Sequence, residues 1–509
     1  MRNDPPRSDA RVVLIHALTA LVLTAAAVPV PVPAHAPGVD ATSIDAVVRA
    51  YRDVTRIPGV AVAVTLGREV VHTAGYGHTA EGDAVTDHTV MAVASLSKSV
   101  TALAVMQLVD AGRVGLDVPA RDYLPEFTMA DDRAAAITVR QLLDQTSGMS
   151  DRTYHSFSGP PLHTLREAVA SMRDARLAAD PGTRYEYHNP NYQVAARLVE
   201  VVSGQSFDEY LRHRVFRPLG MADSSTGNTA DDLPPSGRGH LMIGGIPVAL
   251  PEPPAFGNGS GGVLSTARDM AAWLITQNDQ GHGPDGTPIV SPASVTEMHR
   301  PTAAGSYGLG WDIGRTPSGA PLIEHTGGLI TVTAYQALLP TSGYGIAIMA
   351  NAGSQYGDAP ALGARLIELL EGRPVSPPVS PTPLIWIDVV LLLLALGVVF
   401  LSVRGVRRSR RWASHRRLRP ATVARLLPYL LPLVFLLTMH EVVSFLYRGR
   451  DVSWLQAAYL YPTFTLLLVV AATGGIAVLV ARLLRSTQSV VADRQPHTRT
   501  ARTPTSPLA

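Results

Sequence analysis

Three apolar segments in the last quarter of the chain place the strongest constraint on its fold. They cover residues 384–403, 426–447 and 460–481, and each has about 20 residues with very few charges. As an α-helix, a segment of this length extends about 30 Å, which matches the hydrocarbon thickness of a bilayer. The pattern therefore predicts three membrane-spanning helices, with any soluble domain confined to the part of the chain before them.

A short proline-rich stretch separates these two parts. Residues 373–383 read Arg-Pro-Val-Ser-Pro-Pro-Val-Ser-Pro-Thr-Pro, a composition typical of a stiff and extended linker. The chain is therefore divided into a domain at 40–372, the linker, a membrane region at 384–484 and a tail at 485–509.

The distribution of arginine predicts how the membrane region is oriented. Eight arginines fall in residues 404–420 and four in the tail, whereas residues 448–459 contain two. Because cytoplasmic loops carry an excess of positive residues, we expect the first loop and the tail to be cytoplasmic. The domain before the first helix is then expected outside the cytoplasm.

The N-terminal segment, residues 1–36, is typical of an export signal. Arginines precede an apolar run from Val12 to Val28, and the small residues Ala34 and Ala36 follow. Because a proline at position 37 is unfavourable for cleavage after Ala36, two interpretations remain. The segment is either a signal peptide or an uncleaved N-terminal anchor.

The sequence of residues 40–372 predicts a mixed α/β domain. Gly59–Leu66 and Glu69–Tyr76 are rich in valine and flank a Gly-Arg turn, so together they predict a β-hairpin. Further strand patterns occur at about 307–313, 321–326, 331–339 and 343–350, and helical patterns at about 95–112, 137–145, 163–178, 190–203, 206–215, 266–277 and 359–371. This order predicts a sheet assembled from both ends of the domain around a helical insertion.

Charge and cysteine content exclude several classes of function. The net charge is only +2, but residues 37–384 contain 24 basic and 35 acidic groups, so the domain is acidic and the membrane region is basic. An acidic domain does not attract nucleic acid, and no nucleic-acid partner is expected. Since the chain has no cysteine, disulfides, cysteine nucleophiles and thiolate metal sites are excluded.

The chain has a single lysine, Lys98, while its other 42 basic residues are arginine. Lys98 follows Ser95 by three positions at the start of an apolar helical run, so the hydroxyl and the amine can meet on one helix face. Lysine can lose its proton when it is buried, whereas arginine cannot. Unless the lysine survived by chance, the pair indicates a serine nucleophile activated by a neighbouring base.

A second motif, Tyr187-His188-Asn189, lies on a Pro/Asn-rich segment before a predicted helix. It places a phenol and an amide close together. The phenol can relay a proton, and the amide can hold a substrate carbonyl. Taken alone, the segment is more simply interpreted as a turn with a packed tyrosine.

A third motif, His325-Thr326-Gly327-Gly328, ends a predicted strand. Glycine allows a substrate to approach the strand edge, and backbone N–H groups there can bind a developing oxyanion. Taken alone, this segment is more simply interpreted as an ordinary exit from a strand into a turn.

Taken in this order, the three motifs resemble those of the serine β-lactamase and penicillin-binding protein superfamily, in which Ser-x-x-Lys is followed by Tyr-x-Asn and Lys/His-Thr-Gly. The similarity is to the class C-like branch, which also includes D-alanyl-D-alanine peptidases, D-aminopeptidases and esterases. It extends over about 45–370 and includes connecting segments such as Arg217–Met221 and Tyr307–Trp311. It implies an antiparallel sheet flanked by helices, a helical subdomain and no cofactor or metal.

The resemblance also implies a role for each residue of the motifs. Ser95 would attack a carbonyl to form an acyl-enzyme, with Lys98 and Tyr187 sharing the proton transfers; which of the two is the base stays open. The backbone N–H groups of Ser95 and Gly328 would form the oxyanion hole. The residues expected to bind substrate or line that hole are Asn189, His325, Thr326, Gly327 and Gly328.

Three positions depart from the superfamily pattern. His325 stands where β-lactamases usually have lysine, which is more similar to the peptidase and esterase members. His188 fills a position that is usually small, and Gln145 replaces a common histidine at a position expected to be structural.

The combined sequence features predict a membrane-anchored, extracytoplasmic serine hydrolase. Its expected substrates are cell-wall-type D-amino-acid peptides, small esters or β-lactam-like molecules, and its other partner is the lipid bilayer. The alternative is a penicillin-binding receptor without turnover, or an envelope scaffold. The cytoplasmic segments are too short to hold a kinase or protease domain, which argues against signalling.

Overall fold

The computed structural model describes residues 39–302, 304–353, 357–414 and 420–492. The predicted export segment and most of the predicted tail lie outside these residues. The α-helices in the described residues are Ala41–Thr55, Ser97–Asp110, Ala120–Tyr123, Val139–Leu143, Leu165–Ser171, Pro190–Ser203, Phe207–Leu211, Ala267–Asn278, Pro292–Met298, Ala359–Leu370, Thr382–Ser414, Pro420–Ala424, Leu431–Leu446, Trp454–Leu460 and Pro462–Ala492. The strands are β1 (Gly59–Leu66), β2 (Glu69–Gly77), β3 (Met91–Ala92), β4 (Ser225–Thr226), β5 (Gly239–Ile243), β6 (Ile246–Leu250), β7 (Val263–Ser265), β8 (Asp312–Arg315), β9 (Pro321–Gly328), β10 (Thr333–Leu339) and β11 (Tyr344–Ala350).

The main sheet has six strands in the order β2-β1-β11-β10-β9-β8. Every neighbouring pair is antiparallel. The hairpin β1–β2 from the start of the domain therefore pairs with β11 from its end, as the sequence predicts. The long helical segment between β2 and β8 forms the predicted subdomain beside the sheet.

Strand β1 shows why the sheet is covered by helices on both faces. Ala61 and Ala63 join the core shared with the helical subdomain, while the alternating valines Val60, Val62 and Val64 join a second core. The second core also contains buried residues of the helices Ala41–Thr55 and Ala359–Leu370. Because successive strand residues face opposite sides, a strand buried on both faces is apolar throughout. The domain is therefore a mixed α/β fold with an antiparallel central sheet.

The helix Ser97–Asp110 runs through the middle of the domain. Every residue from Ser97 to Met106 is buried. A helix that is enclosed on all sides has no need of a polar face. This explains why the run from Ala102 to Met106 is apolar without interruption, and the enclosed helix gives the motif at its start a rigid support.

Several elements differ from the sequence-based expectation. The helix Ala41–Thr55 was not predicted; its N-cap is Asp40, whose carboxylate accepts from Ser43 N–H at 2.9 Å. The hairpin β5–β6 was also not predicted. The predicted strand at 307–313 begins only at Asp312, because Gly310 has a φ of +82° and turns the chain before the strand.

Three of the described helices are long and apolar enough to cross a membrane. They span Thr382–Ser414, Pro420–Leu446 and Pro462–Thr487, with 33, 27 and 26 residues. The second span combines the helices Pro420–Ala424 and Leu431–Leu446 with the turn Leu427–Leu430, and the third is the first part of Pro462–Ala492. The predicted apolar segments fall inside these helices, apart from one or two residues at their ends. We refer to these three spans below as the first, second and third membrane helices.

The first membrane helix is joined to the domain by Asp388. Its carboxylate accepts from Gly244 N–H at 2.8 Å, at the tip of the β5–β6 hairpin, and from the Thr463 hydroxyl at 2.7 Å in the third membrane helix. The bond from Gly244 attaches the start of the first membrane helix to the domain, and the bond from Thr463 attaches it to the third membrane helix.

Candidate active site

Ser95 lies on a tight turn that presents its side chain outward. It belongs to the 3₁₀ turn Ala94–Leu96, which continues directly into the central helix. Ala94 has a φ of +49°, a strained conformation for a residue with a side chain, and such strain is concentrated at functional sites. Ser95 is also the one residue between Met91 and Met106 that is not buried. The turn therefore exposes one hydroxyl from an otherwise enclosed segment.

Lys98 lies directly beside this hydroxyl. Its Nζ is 3.1 Å from Ser95 Oγ and donates to the carbonyl of Ser260 at 2.6 Å. The side chain is 0% exposed. Burial, with the charge of Arg450 nearby, holds the pKa of Lys98 well below its usual value. The amine is therefore suited to be neutral and to accept a proton from Ser95.

Tyr187 lies on the other side of the amine. The Lys98 Nζ is 4.7 Å from the centre of the Tyr187 ring. Burial raises the pKa of Tyr187 to about 12, while hydrogen bonding with Ser95 and the charge of Arg450 act in the opposite direction. A phenol with this pKa keeps its proton near neutral pH, so Tyr187 is better suited to donate a proton than to act as the base.

Gln145 holds the loop that carries Tyr187. Its φ is +63°, and its side-chain oxygen accepts from the His188 N–H at 3.0 Å and from Asn191 Nδ2 at 2.6 Å. Its backbone carbonyl also accepts from Glu186 N–H at 2.9 Å. These contacts agree with the structural role expected for this position.

His188 is paired with a carboxylate that the sequence analysis did not single out. Its Nδ1 is 2.6 Å from Asp151 Oδ1, and both side chains are almost fully buried. Burial alone would raise the pKa of Asp151, but His188 and Arg450 hold it below its usual value. The His188 ring is therefore held in a buried pair with Asp151 and is not a free side chain in the substrate pocket.

Asn189 provides an acceptor with no partner in the described part of the chain. Its Oδ1 is buried and makes no hydrogen bond there. A buried carbonyl oxygen without a partner costs about 1–3 kcal/mol of stability. Because Asn189 follows Tyr187 by two positions, this unpaired oxygen belongs to the segment that carries the phenol.

The end of strand β9 packs directly on the Ser95 turn. A Cβ atom on Gly327 would lie 2.6 Å from the Val93 carbonyl oxygen, so only glycine allows this approach. A Cβ atom on Gly328 would meet nothing within 4 Å. Thr326 and Gly328 are exposed, whereas His325 and Gly327 are buried. The predicted oxyanion segment is therefore brought to the nucleophile, with Thr326 and Gly328 on its open side.

The structure gives His325 a different environment from that of a substrate-binding cation. It is 2% exposed, its Nδ1 donates to the Thr326 carbonyl at 2.7 Å, and its Nε2 accepts from the Tyr307 hydroxyl at 2.8 Å. Burial and the nearby Lys98 lower the pKa of His325 to about 3. Both ring nitrogens are occupied, so this neutral histidine positions Tyr307 against the site.

The structure therefore brings the three sequence motifs together around Ser95. The roles of Asp151 and of the Ser260 carbonyl were not predictable from the sequence motifs. The Tyr307–Trp311 segment resembles that of related proteins, but this resemblance does not indicate the contact between Tyr307 and His325. No local pattern indicates these contacts, because their partners are distant in the chain.

The comparisons with known proteins agree with this geometry. The Beta-lactamase family profile matches residues 44–371. The chain is 32% identical over 361 residues to penicillin-binding protein 4 of Amycolatopsis lactamdurans, which covers 66% of this chain and 92% of that protein.

Two solved structures are similar in fold. A penicillin-binding protein from Bacillus halodurans has a TM-score of 0.53 and 25% identity, over 64% of this chain and 98% of that chain. A D-amino acid amidase from Ochrobactrum anthropi has a TM-score of 0.54 and 24% identity, over 64% of this chain and 99% of that chain. Because the family match spans well over half of the sequence and the fold agrees with it, the chain belongs to the Beta-lactamase family of serine hydrolases.

Proposed function

We propose that the protein is a membrane-anchored serine hydrolase that forms an acyl-enzyme on Ser95, with Lys98 as the base. The observation that carries this proposal is the buried Lys98 amine at 3.1 Å from Ser95 Oγ. An amine in this position can take the proton that a serine must lose before it attacks. The raised pKa of Tyr187 supports assigning the base to Lys98 and the donor to the phenol.

The reaction proceeds in two halves. Ser95 Oγ attacks the substrate carbonyl carbon while its proton passes to Lys98 Nζ, and the negative oxygen is stabilised by the backbone N–H groups of Ser95 and Gly328. The carbon–nitrogen or carbon–oxygen bond to the leaving group then breaks, and the leaving group takes a proton from Tyr187 or Lys98. Water next attacks the acyl ester, which releases the acid and restores the Ser95 hydroxyl.

The proposed substrates are D-amino-acid peptides or amides of the cell-wall type and small esters. The relationship to a penicillin-binding protein and the fold similarity to a D-amino acid amidase support this class. The unpartnered Asn189 oxygen supports a substrate with an N–H group next to the reacting carbonyl. The second candidate, a receptor that is acylated by β-lactams without turnover, uses the same nucleophile and differs only in the second half of the reaction.

The catalytic domain is proposed to lie outside the cytoplasm. The distribution of arginine supports this orientation. A second observation supports the topology: the loop between the second and third membrane helices contacts the catalytic domain, with Asp451 N–H donating to Asp151 at 3.2 Å. If each helix crosses the membrane once, the chain returns to the side of the domain after the second helix. The loop between the second and third helices can then contact the domain.

The proposal is tested by covalent labelling of the full-length protein in membranes. A fluorophosphonate or penicillin probe should label the wild-type protein at Ser95, and Ser95→Ala should remove the label. A small ester should also be hydrolysed with multiple turnovers. Labelling that survives Ser95→Ala contradicts the nucleophile, whereas labelling of Ser95 without turnover of any ester or amide supports the receptor.

A further inference from the structure

The loop at residues 447–453, which follows the second membrane helix and precedes the short helix Trp454–Leu460, is bound to the catalytic domain by polar contacts. The Asp451 carboxylate accepts from the N–H groups of Phe157 and Ser158 at 2.5 and 3.0 Å, and from the Ser158 hydroxyl at 2.7 Å. Asp451 is 7% exposed. Three bonds to a buried carboxylate fix this loop in one place on the domain. Its neighbouring side chain, Arg450, is thereby also fixed.

Arg450 reaches the catalytic residues from this loop. Its Nε is 2.8 Å from Asp151 Oδ2, the carboxylate that also holds His188. Its guanidinium carbon is 5.2 Å from the centre of the Tyr187 ring, which also contacts Lys98. Arg450 therefore contacts the Tyr187 ring directly and is linked to His188 through Asp151, although it belongs to the membrane region.

Arg450 is also the cation at this site that a ligand can reach. Lys98 is buried and has a lowered pKa, and His325 is neutral with both nitrogens occupied. The Arg450 side chain is 39% exposed, and its Nη1 and Nη2 make no hydrogen bond with the residues that the structure describes. Because arginine keeps its charge and presents paired donors, it is suited to bind a carboxylate.

We propose that Arg450 binds a carboxylate of the substrate, so that the membrane region completes the active site. This inference rests on the proposed hydrolase function, and it narrows the substrate to molecules that carry an acidic group near the reacting carbonyl. Asp151 balances part of the Arg450 charge and orients it through Nε. The terminal amino groups then face the ligand.

Two substrates that differ in one charge test this proposal with the full-length protein in detergent. One is an N-acyl depsipeptide that ends in a free carboxylate, and the other is the same depsipeptide with a neutral carboxamide end. Arg450→Gln should lower kcat/KM for the acidic substrate by about 10- to 100-fold, the range expected for hydrogen bonds to a charged group. Because the Arg450 charge also lowers the pKa of Lys98, kcat/KM for the neutral substrate is expected to change as well, so the readout is the ratio of the two kcat/KM values, which should fall by about tenfold or more. Arg450→Lys should retain an intermediate preference, because it keeps the charge but loses the paired donors.

Arg448→Gln is the matched control, because it removes an exposed arginine from the same loop and leaves its backbone in place. It should keep the wild-type preference between the two substrates. The proposal is overturned if Arg450→Gln lowers both substrates equally or changes neither. If the wild-type protein hydrolyses neither substrate, the proposed function has failed, and Ser95→Ala separates that result from background hydrolysis.

Discussion

The Lys98 amine lies 3.1 Å from the Ser95 hydroxyl and donates on its other side to a backbone carbonyl. A neutral amine that donates to a carbonyl still has a lone pair, and it can direct this lone pair at the serine proton. The arrangement therefore orients Lys98 as an acceptor. Because the side chain is fully buried, its charged form is disfavoured before any substrate binds.

Two adjacent glycines at the end of β9 are expected to respond differently to substitution. Gly327→Ala places a Cβ atom 2.6 Å from the Val93 carbonyl, so it must move the strand away from the Ser95 turn. We expect a loss of about 1–3 kcal/mol of stability and slower acylation. Gly328→Ala meets open space and should unfold at the wild-type temperature. Thermal unfolding and probe-labelling rates check the pair, and equal destabilisation by both changes would show that the strand does not pack on the turn.

The neutral state of His325 predicts a loss of stability in acid. Its pKa is about 3 in the folded protein, below the usual value of 6.5 for histidine. Between pH 6.5 and 3, the unfolded chain therefore takes up a proton that the folded protein excludes. The stabilising contribution of neutral His325 to the free energy of unfolding is fully present above pH 6.5 and is lost as the pH falls toward 3. The expected slope is about 1.4 kcal/mol per pH unit for this one group.

The variant His325→Gln removes this titration, and its free energy of unfolding should depend less on pH between about 4 and 6.5. Urea unfolding of both proteins at several pH values measures the difference. Parallel pH profiles for the wild type and the variant would mean that His325 is protonated in the folded protein.

The resemblance to β-lactamases and the neutral His325 together predict poor hydrolysis of β-lactams. In β-lactamases this position is usually lysine, and here the histidine carries no charge for the β-lactam carboxylate. Arg450 reaches the site beside Asp151 and Tyr187 and does not occupy this position, so the carboxylate that we propose it binds lies elsewhere than the one this lysine would bind. Steady-state rates on nitrocefin and on short-chain p-nitrophenyl esters check this. A kcat/KM above about 10⁵ M⁻¹s⁻¹ on nitrocefin, typical of working enzymes, would refute it.

Reporter fusions test the orientation of the membrane region. Fusions after residues 415 and 500 should be active in the cytoplasm, and a fusion after residue 452 should be active outside it, because of the arginines near the first loop and the tail. A fusion at 415 that is active only outside the cytoplasm would reverse the proposed topology.

The sheet and the nucleophile motif were predictable from sequence because each depends on local patterns. The alternating valines of β1 indicate a strand, and the three-residue spacing of Ser95 and Lys98 indicates one helix face. Because the chain has a single lysine, its position three residues after Ser95 also indicated a functional role for Lys98.

Contacts between distant parts of the chain were not predictable in this way. Asp151 and Arg450 are in contact although they are about 300 residues apart in sequence. The sequence of the membrane region predicts only a membrane anchor and gives no indication of a contact with the site. The strand β8 was placed too early because Gly310 turns a segment that otherwise has a strand-like composition. Such features depend on tertiary packing, which overrides local propensity.

The acylation rate of Lys98→Arg tests the central claim most directly. Arginine keeps the positive charge but cannot be deprotonated, so the variant cannot take the proton of Ser95. We expect the rate constant for probe labelling of the full-length protein to fall about 10²–10⁴-fold, as for loss of a general base, while circular dichroism shows an unchanged fold. Tyr187→Phe should retain a larger part of the rate. A folded Lys98→Arg protein that labels within about tenfold of the wild type, together with a Tyr187→Phe protein that does not label, would contradict the account and make Tyr187 the base.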